Sequence, residues 1–159
     1  MDLYLMRHGL AAERGEAPGP DEERPLTLEG IARTRQMARA LEQLGVAPNL
    51  VLTSGLRRAA QTADLALKQL GGRRRTTASL TPGSPPQALL DEVAGLDGPV
   101  LCVGHSPHLE LVIALAAAGT DSPICELKKA GVARLDLEPV SRRATLVWLL
   151  QPGVVRKLT

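Results

Sequence analysis

The stretch DLYLMRHG at residues 2–9 joins an apolar run to an arginine and a histidine. Residues 2–6 have the length and composition of a short buried strand. Arg7, His8 and Gly9 then follow where that strand would end. In open α/β sheets, ligands bind beyond the carboxyl ends of the strands. The stretch therefore predicts a core strand with candidate functional residues at its end.

Along the rest of the chain, apolar runs alternate with segments whose apolar residues have helical spacing. The predicted strands cover residues 2–6, 49–53, about 76–80, 99–103, and a final hairpin at 131–137 and 144–150. The predicted helices cover about 28–44, 56–70, 87–96 and 107–118. The alternation predicts an α/β fold, a three-layer αβα sandwich with a mostly parallel central sheet, in one domain spanning residues 1–159.

Local signals support several of these boundaries. Thr27 is a predicted N-cap, and Pro107 suits the first position of its helix. Arg73–Arg75 are expected to lead into the third strand as a solvated loop, although they could also dock an acidic partner. The helix at 28–44 rests on apolar residues at near-helical spacing, which are Leu28, Ile31, Met37, Ala38, Leu41 and Leu44.

The composition excludes several classes of function. The chain of 159 residues is 44% hydrophobic and 23% charged, with no Phe, one Tyr, one Trp and a net charge of +2. So few aromatic rings and so little net charge argue against nucleic-acid binding. Cys102 and Cys125 do not make a disulfide framework, and Cys102 is predicted to be buried. No apolar run is long enough for a membrane span and no leader is apparent, so we expect a cytoplasmic protein.

Two further segments carry candidate functional residues. His105 follows the fourth predicted strand, as His8 follows the first. The segment SGLRRAAQT at 54–62 follows the second strand and opens a helix, whose N-terminus favours anions. Either histidine could instead be structural, and the two arginines of 54–62 could be solvated. Two histidines at strand ends, one of them with an adjacent arginine, favour an anion site such as a phosphate pocket.

These residues carry a resemblance to a known family. Three motifs occur in order: RHG at 7–9, S-x-x-x-R-A-x-Q-T at 54–62 and VGH at 103–105. Together they resemble the histidine phosphatase superfamily, with its phosphoglycerate mutase-like fold. Two softer motifs, RPLT at 24–27 with Gly30 and KKAGVA at 128–133, resemble the SixA-type phosphohistidine phosphatases. The similarity spans residues 3 to about 137.

The resemblance implies a mechanism. His8 would attack the phosphoryl group and form a covalent phosphohistidine, which water then hydrolyses. By motif position Arg58, rather than Arg57, matches the family arginine. The residues expected to hold phosphoryl oxygens are Arg7, Arg58, His105, Gly9 and Ser54, although Ser54 could instead only shape its turn. The family uses no metal or other cofactor, so none is expected here.

The motifs lack an obvious general acid. Ser106 follows His105, and residues 81–90 contain no Asp or Glu. Four of the carboxylates in the loop after His8 could swing over the site, although we expect them to be exposed charges. They are Glu13, Asp21, Glu22 and Glu23. An alkoxide leaving group needs a proton more than the imidazole of phosphohistidine does. The expected substrate is therefore a protein that carries phosphohistidine.

Other functions remain open at this stage. The chain could be a small, broad-specificity phosphomonoesterase acting on phosphate esters, or a non-catalytic module that binds phosphorylated ligands. A cysteine phosphatase is excluded, because neither cysteine has an arginine at the required spacing. A zinc hydrolase would need His8, His105 and His108 without any supporting ligand pattern. We expect His108 to be a rim or surface residue.

Overall fold

The computed structural model describes residues 1–159 and contains a six-stranded mixed sheet. The strands are β1 (Asp2–Arg7), β2 (Leu50–Thr53), β3 (Arg73–Thr76), β4 (Val100–Gly104), β5 (Val132–Leu137) and β6 (Ala144–Leu150). The helices are α1 (Leu28–Gln43), α2 (Arg57–Leu70), α3 (Pro86–Ala94), α4 (His108–Ala118) and α5 (Pro152–Leu158). Two short 3₁₀ turns lie at Asp21–Glu23 and Ala78–Leu80.

The strand order is β3-β2-β4-β1-β5-β6. Strands β1 to β4 are mutually parallel, whereas β5 and β6 form an antiparallel hairpin beside β1. The predicted α/β fold with a mostly parallel sheet is therefore confirmed. The final hairpin also lies where it was predicted.

The sheet has a separate apolar core on each face. Alternation along β1 sends Leu3 and Leu5 into one core and Tyr4 and Met6 into the other. Helices α3 and α4 cover the first core, while α1, α2 and α5 cover the second. Cys102 is fully buried with a free thiol, as predicted. This arrangement is the three-layer αβα sandwich.

The prediction for the third strand was wrong. The strand is Arg73–Thr76, whose four side chains are all exposed, and Ala78–Leu80 is a 3₁₀ turn instead. The strand lies at the sheet edge, where backbone pairing to β2 needs no apolar side chain. Charged residues on an edge strand also discourage pairing with other chains.

Other boundary predictions need smaller corrections. The buried face of α1 comprises Gly30, Thr34, Met37, Ala38 and Leu41. Leu28 and Leu44, at the two ends of that helix, are exposed rather than buried. Pro107 is the residue before α4 and not its first helical residue. Helix α5 was not predicted, because seven residues show too little periodicity.

No helix in this chain combines the length and the apolar character needed to cross a membrane.

Candidate active site

The two candidate histidines meet because β1 and β4 are adjacent and parallel. Arg7 is aligned with Gly104, so both strands end at the same level. The backbone N–H of His8 donates to the carbonyl of Gly104 at 2.9 Å. The His8 and His105 rings consequently lie 5.2 Å apart between centroids.

His8 is held in one tautomer. Its Nδ1 lies 2.7 Å from the carbonyl oxygen of Gly9. A carbonyl can only accept, so Nδ1 carries the hydrogen and Nε2 of the neutral ring keeps its lone pair. Burial lowers the pKa of His8 to about 4, with help from the charges of Arg58, Arg7 and Lys129. At neutral pH the ring is uncharged and presents an available nucleophile.

His105 is oriented by the end of β2. Its Nε2 lies 2.7 Å from the hydroxyl of Ser54, which is itself fully buried. Nδ1 of the same ring is buried without a hydrogen-bond partner. Burial, together with the neighbouring His8 and arginine charges, lowers the pKa of His105 to about 3. Both rings are therefore neutral at neutral pH, and the positive charge of the site comes from other groups.

The guanidinium groups of Arg7, which is half-buried, and Arg58, which is buried, supply much of that charge. Arg7, at the end of β1, donates from one terminal nitrogen to the carbonyl of Leu127 at 2.9 Å. Arg58, in the first turn of α2, donates to the carbonyl of Asp21 at 3.2 Å. The Nε atoms of both arginines are buried without a partner. Donors without acceptors favour binding of an anion at this point.

These groups line a pocket of about 400 Å³. Of the predicted site residues, Arg7, His8, Arg58 and His105 face it. Further lining residues are Ala11, Arg14, Asp21, Arg24, Pro82, Ser106 and Lys129. The pocket thus has five cationic side chains and one carboxylate, a balance that suits a phosphoryl group.

Gly9 and Ser54, which we predicted to bind phosphate, do not line the pocket. The N–H of Gly9 donates to the hydroxyl of Thr62 at 2.9 Å, and its carbonyl holds His8. A side chain at this glycine would overlap the hydroxyl of Thr34. Ser54 contacts His105 instead of facing the pocket. The structure places both residues behind the histidines, where they position the rings.

The loop after His8 brings Asp21 to the pocket. Oδ1 of Asp21 accepts from Nε of Arg24 at 2.7 Å, and Oδ2 lies 3.5 Å from Arg58. Arg24 also donates to the carbonyl of Ala12 at 2.7 Å, which closes the loop at its base. The hydrogen bond from Arg24 and the charges of Arg58 and Arg14 lower the pKa of Asp21. The expectation of a merely exposed charge is corrected for Asp21, whereas Glu13, Glu22 and Glu23 are exposed.

The turn before β5 places Lys129 at the pocket. Ala130 adopts a left-handed conformation with φ 65°, and its N–H lies 3.1 Å from the carbonyls of both Arg7 and His8. This fixes the preceding lysine against the end of β1. Sequence reasoning singled out the RPLT and KKAGVA motifs but assigned no role to Arg24 or Lys129. The motifs were the only available signal, because the role depends on loop geometry.

Glu110 supports the pocket from inside the fold. Its Oε1 accepts from the hydroxyl of Ser106 at 2.6 Å and from the N–H of Leu127 at 3.0 Å. Leu127 in turn accepts from Arg7, so Glu110 links the loop after β4 to the guanidinium of β1. Sequence reasoning did not identify this residue.

His108 is buried rather than on the rim or surface, because most of α4 is buried. Its two ring nitrogens have no partner, and burial lowers its pKa. The residue lines a second pocket beside Ser106 and the proline-rich segment 82–86. No group of three or more His, Cys, Asp or Glu side chains is arranged to hold a metal ion.

Comparison with known proteins places this geometry in context. Residues 3–81 match the model of the histidine phosphatase superfamily (branch 1). An uncharacterized protein of Picosynechococcus sp. is 39% identical over 140 residues, which cover 85% of this chain and 84% of that protein.

Solved structures share the fold over nearly the full chain. The protein histidine phosphatase SixA complexed with tungstate superposes with a TM-score of 0.87 at 26% identity, covering 98% of this chain and 99% of that one. A candidate phosphohistidine phosphatase SixA from Agrobacterium tumefaciens has a TM-score of 0.78 at 25% identity, with 95% and 97% coverage. A phosphoserine phosphatase from Entamoeba histolytica shares the fold alone, with a TM-score of 0.71 at 16% identity and 94% and 96% coverage.

The network of Glu110 predicts a stability effect. Glu110→Ala removes the acceptor of the half-buried Ser106 hydroxyl and of the buried N–H of Leu127. We expect the free energy of unfolding, measured in urea, to fall by about 2–4 kcal/mol. Glu110→Gln is the matched control. Its amide oxygen can still accept from Ser106 and Leu127, and its uncharged NH₂ group replaces the unpartnered Oε2. Equal losses in both variants would contradict the proposed network.

The buried histidines predict acid sensitivity. The pKa of His8 is about 4 in the fold, below its unfolded value. Between the two values the unfolded chain binds more protons, so lowering the pH reduces the free energy of unfolding. For His8 alone we expect a loss of about 2 kcal/mol on going from about pH 7.5 to about pH 5. In His8→Asn, the decrease in the free energy of unfolding between the two pH values, measured in urea, should be smaller by that amount. An unchanged decrease would refute the lowered pKa of His8.

Proposed function

Because the chain belongs to the histidine phosphatase superfamily, we propose that it is a phosphohistidine phosphatase that works through a covalent intermediate on His8. The observation that carries the proposal is the tautomer of His8. Nδ1 is committed to the carbonyl of Gly9, and Nε2 is free in a neutral ring. The ring is thus prepared for attack without a separate base.

In the first step, the Nε2 lone pair of His8 attacks phosphorus and the bond from phosphorus to the leaving nitrogen breaks. The departing imidazole of the substrate retains that electron pair and takes its proton from solvent. Arg7, Arg58 and Lys129 stabilise the negative charge of the phosphoryl oxygens. Water then attacks phosphorus and the bond from phosphorus to Nε2 of His8 breaks. The electron pair of that bond returns to Nε2, a proton of the attacking water passes to solvent, and inorganic phosphate leaves neutral His8 behind.

His105 lies beside the attacking ring and is neutral before substrate binds. A phosphoryl dianion in the pocket raises the pKa of nearby imidazoles, because an opposite charge favours their protonated form. Ser54 fixes the orientation of His105, so the ring can donate a hydrogen bond to a phosphoryl oxygen. We therefore assign His105 to oxygen binding rather than to attack.

The charge state of Asp21 supports phosphohistidine over a phosphate ester. It is the one carboxylate that lines the pocket, and its arginine neighbours favour the ionised form. An ionised carboxylate is a poor donor for an alkoxide leaving group. The imidazole of phosphohistidine can instead be protonated by solvent. This favours a phosphorylated protein of the signalling or phosphocarrier type as substrate.

The first test measures inorganic phosphate release from a phosphohistidine-bearing protein in the presence of excess chelator. We expect release by the native chain and loss of at least about a hundredfold in His8→Ala, because the covalent step disappears. Persistence of activity with chelator is expected since cationic side chains supply the charge.

Three outcomes would argue against the proposal. Full activity of His8→Ala would overturn the nucleophile. Native activity on simple phosphate esters alone would favour a broad phosphomonoesterase. Binding of phosphorylated protein without turnover would favour a non-catalytic module.

A second test addresses proton donation. Asp21→Asn keeps the backbone carbonyl that holds Arg58 but cannot act as an acid. Loss of a general acid would lower kcat/KM roughly 10²–10⁴-fold. Because solvent can protonate the imidazole that leaves from phosphohistidine, we expect kcat/KM of Asp21→Asn on this substrate to change by less than about fivefold. Arg58→Ala serves as the contrast and should lose at least about a hundredfold. A large loss in Asp21→Asn confined to phosphate esters would identify Asp21 as their acid.

A further inference from the structure

A larger cleft, distinct from the pocket at His108, lies beside the active-site pocket. It has a volume of about 670 Å³ and is formed by α1, the turn before β5 and α5. Five cationic side chains and no carboxylate line it: Arg33, Lys128, Lys129, Arg156 and Lys157. We call this surface the basic cleft.

The basic cleft is continuous with the pocket of His8. Lys129 lines both, and the backbone of Ala130 fixes its position against the end of β1. The walls of the cleft are also joined: Gln151 accepts from the N–H of Lys128 at 3.0 Å and donates to the carbonyl of Glu126 at 2.7 Å. A ligand bound in the cleft would therefore lie at a fixed position relative to the phosphoryl group.

Most of the charge in the cleft is uncompensated. Lys128 pairs with Glu126 at 2.9 Å and Arg33 pairs with Glu29, but these carboxylates are exposed and such pairs are weak. Lys129, Arg156 and Lys157 form no ion pair. Since the whole chain has a net charge of only +2, this concentration exceeds what the composition alone would produce. Such a surface attracts anionic partners over a distance and accelerates their association.

The cleft suits an acidic protein surface better than a small anion. Lys128, Arg156 and Lys157 are exposed, with no buried polar group of the kind that encloses a small ligand. Val154, also exposed in the cleft, offers the apolar contact typical of protein interfaces. Neither aromatic residue lines the cleft, so the bases of a nucleic acid would have nothing to stack on.

We propose that the basic cleft docks an acidic face of the phosphorylated protein substrate next to its phosphohistidine. The inference rests on the proposed function, because it needs a protein substrate whose phosphoryl group enters the pocket of His8. Lys129 would then contact both the phosphoryl group and the docked surface.

The test uses the double variant Arg156→Glu/Lys157→Glu, which leaves the pocket untouched. Its matched control is Arg73→Glu/Arg143→Glu, with the same change of charge at two exposed arginines. Arg73 begins β3, and Arg143 precedes β6 in the turn that lies near the start of β1, away from His8. The substrates are a phosphorelay histidine domain with an acidic surface and free phosphohistidine.

We expect kcat/KM on the phosphorylated domain to fall by at least about tenfold in the cleft variant, because electrostatic steering is lost. On free phosphohistidine it should stay within about twofold of the native value, since the small substrate does not reach the cleft. The control variant should retain native kcat/KM on both substrates. Raising the salt from about 20 mM to about 300 mM should lower the native rate on the domain by a larger factor than the rate of the cleft variant.

The outcomes separate the two proposals. Equal losses in the cleft and control variants, or no loss in either, would overturn the docking proposal while leaving the phosphatase assignment intact. A native chain inactive on both substrates would overturn the proposed function, and the docking proposal with it. A cleft variant that loses affinity for a DNA duplex but keeps full kcat/KM on the phosphorylated domain would assign the cleft to nucleic acid.

Discussion

The parallel pairing of β1 with β4 is the constraint on which the site depends. Because Arg7 is aligned with Gly104, the residues that follow each strand emerge side by side, and His8 meets His105. A shift of one residue in this register would exchange the two faces of β1 and move its apolar side chains between the cores. The two cores therefore enforce the register, and the register sets the distance between the rings.

Burial and charge have different effects on the residues of the pocket. Burial keeps the two histidines neutral, so His8 retains the lone pair that the proposed attack on phosphorus requires. The guanidinium groups of Arg7 and Arg58 remain cationic and supply the field. The Nε atoms of both arginines lack acceptors within the protein. A bound phosphoryl dianion would accept from these donors and offset the positive charge that the fold concentrates there.

The parts of this architecture that could be predicted from sequence are those set by local pattern. The strand predicted at 2–6, which the structure extends to Arg7, and the histidine after it follow from an apolar run that ends in RHG, and the same logic locates His105. β3 was misplaced because an edge strand of arginines carries no apolar signal, and its pairing with β2 is non-local. Asp21, Lys129 and Glu110 could not be assigned roles, since each depends on contacts between segments far apart in the chain.

Asp21 illustrates how one loop residue influences substrate choice. Its carboxylate lies 3.5 Å from Arg58, a cation that the proposed phosphoryl substrate also needs. A phosphoryl dianion carries more charge than a carboxylate and competes for that arginine, while Arg24 keeps Asp21 hydrogen-bonded at 2.7 Å. A carboxylate held by arginines stays ionised and cannot assist an alkoxide leaving group. Under the proposed function, substrate preference would thus depend on the charges around this loop rather than on the shared fold, because the same fold serves phosphatases with different substrates.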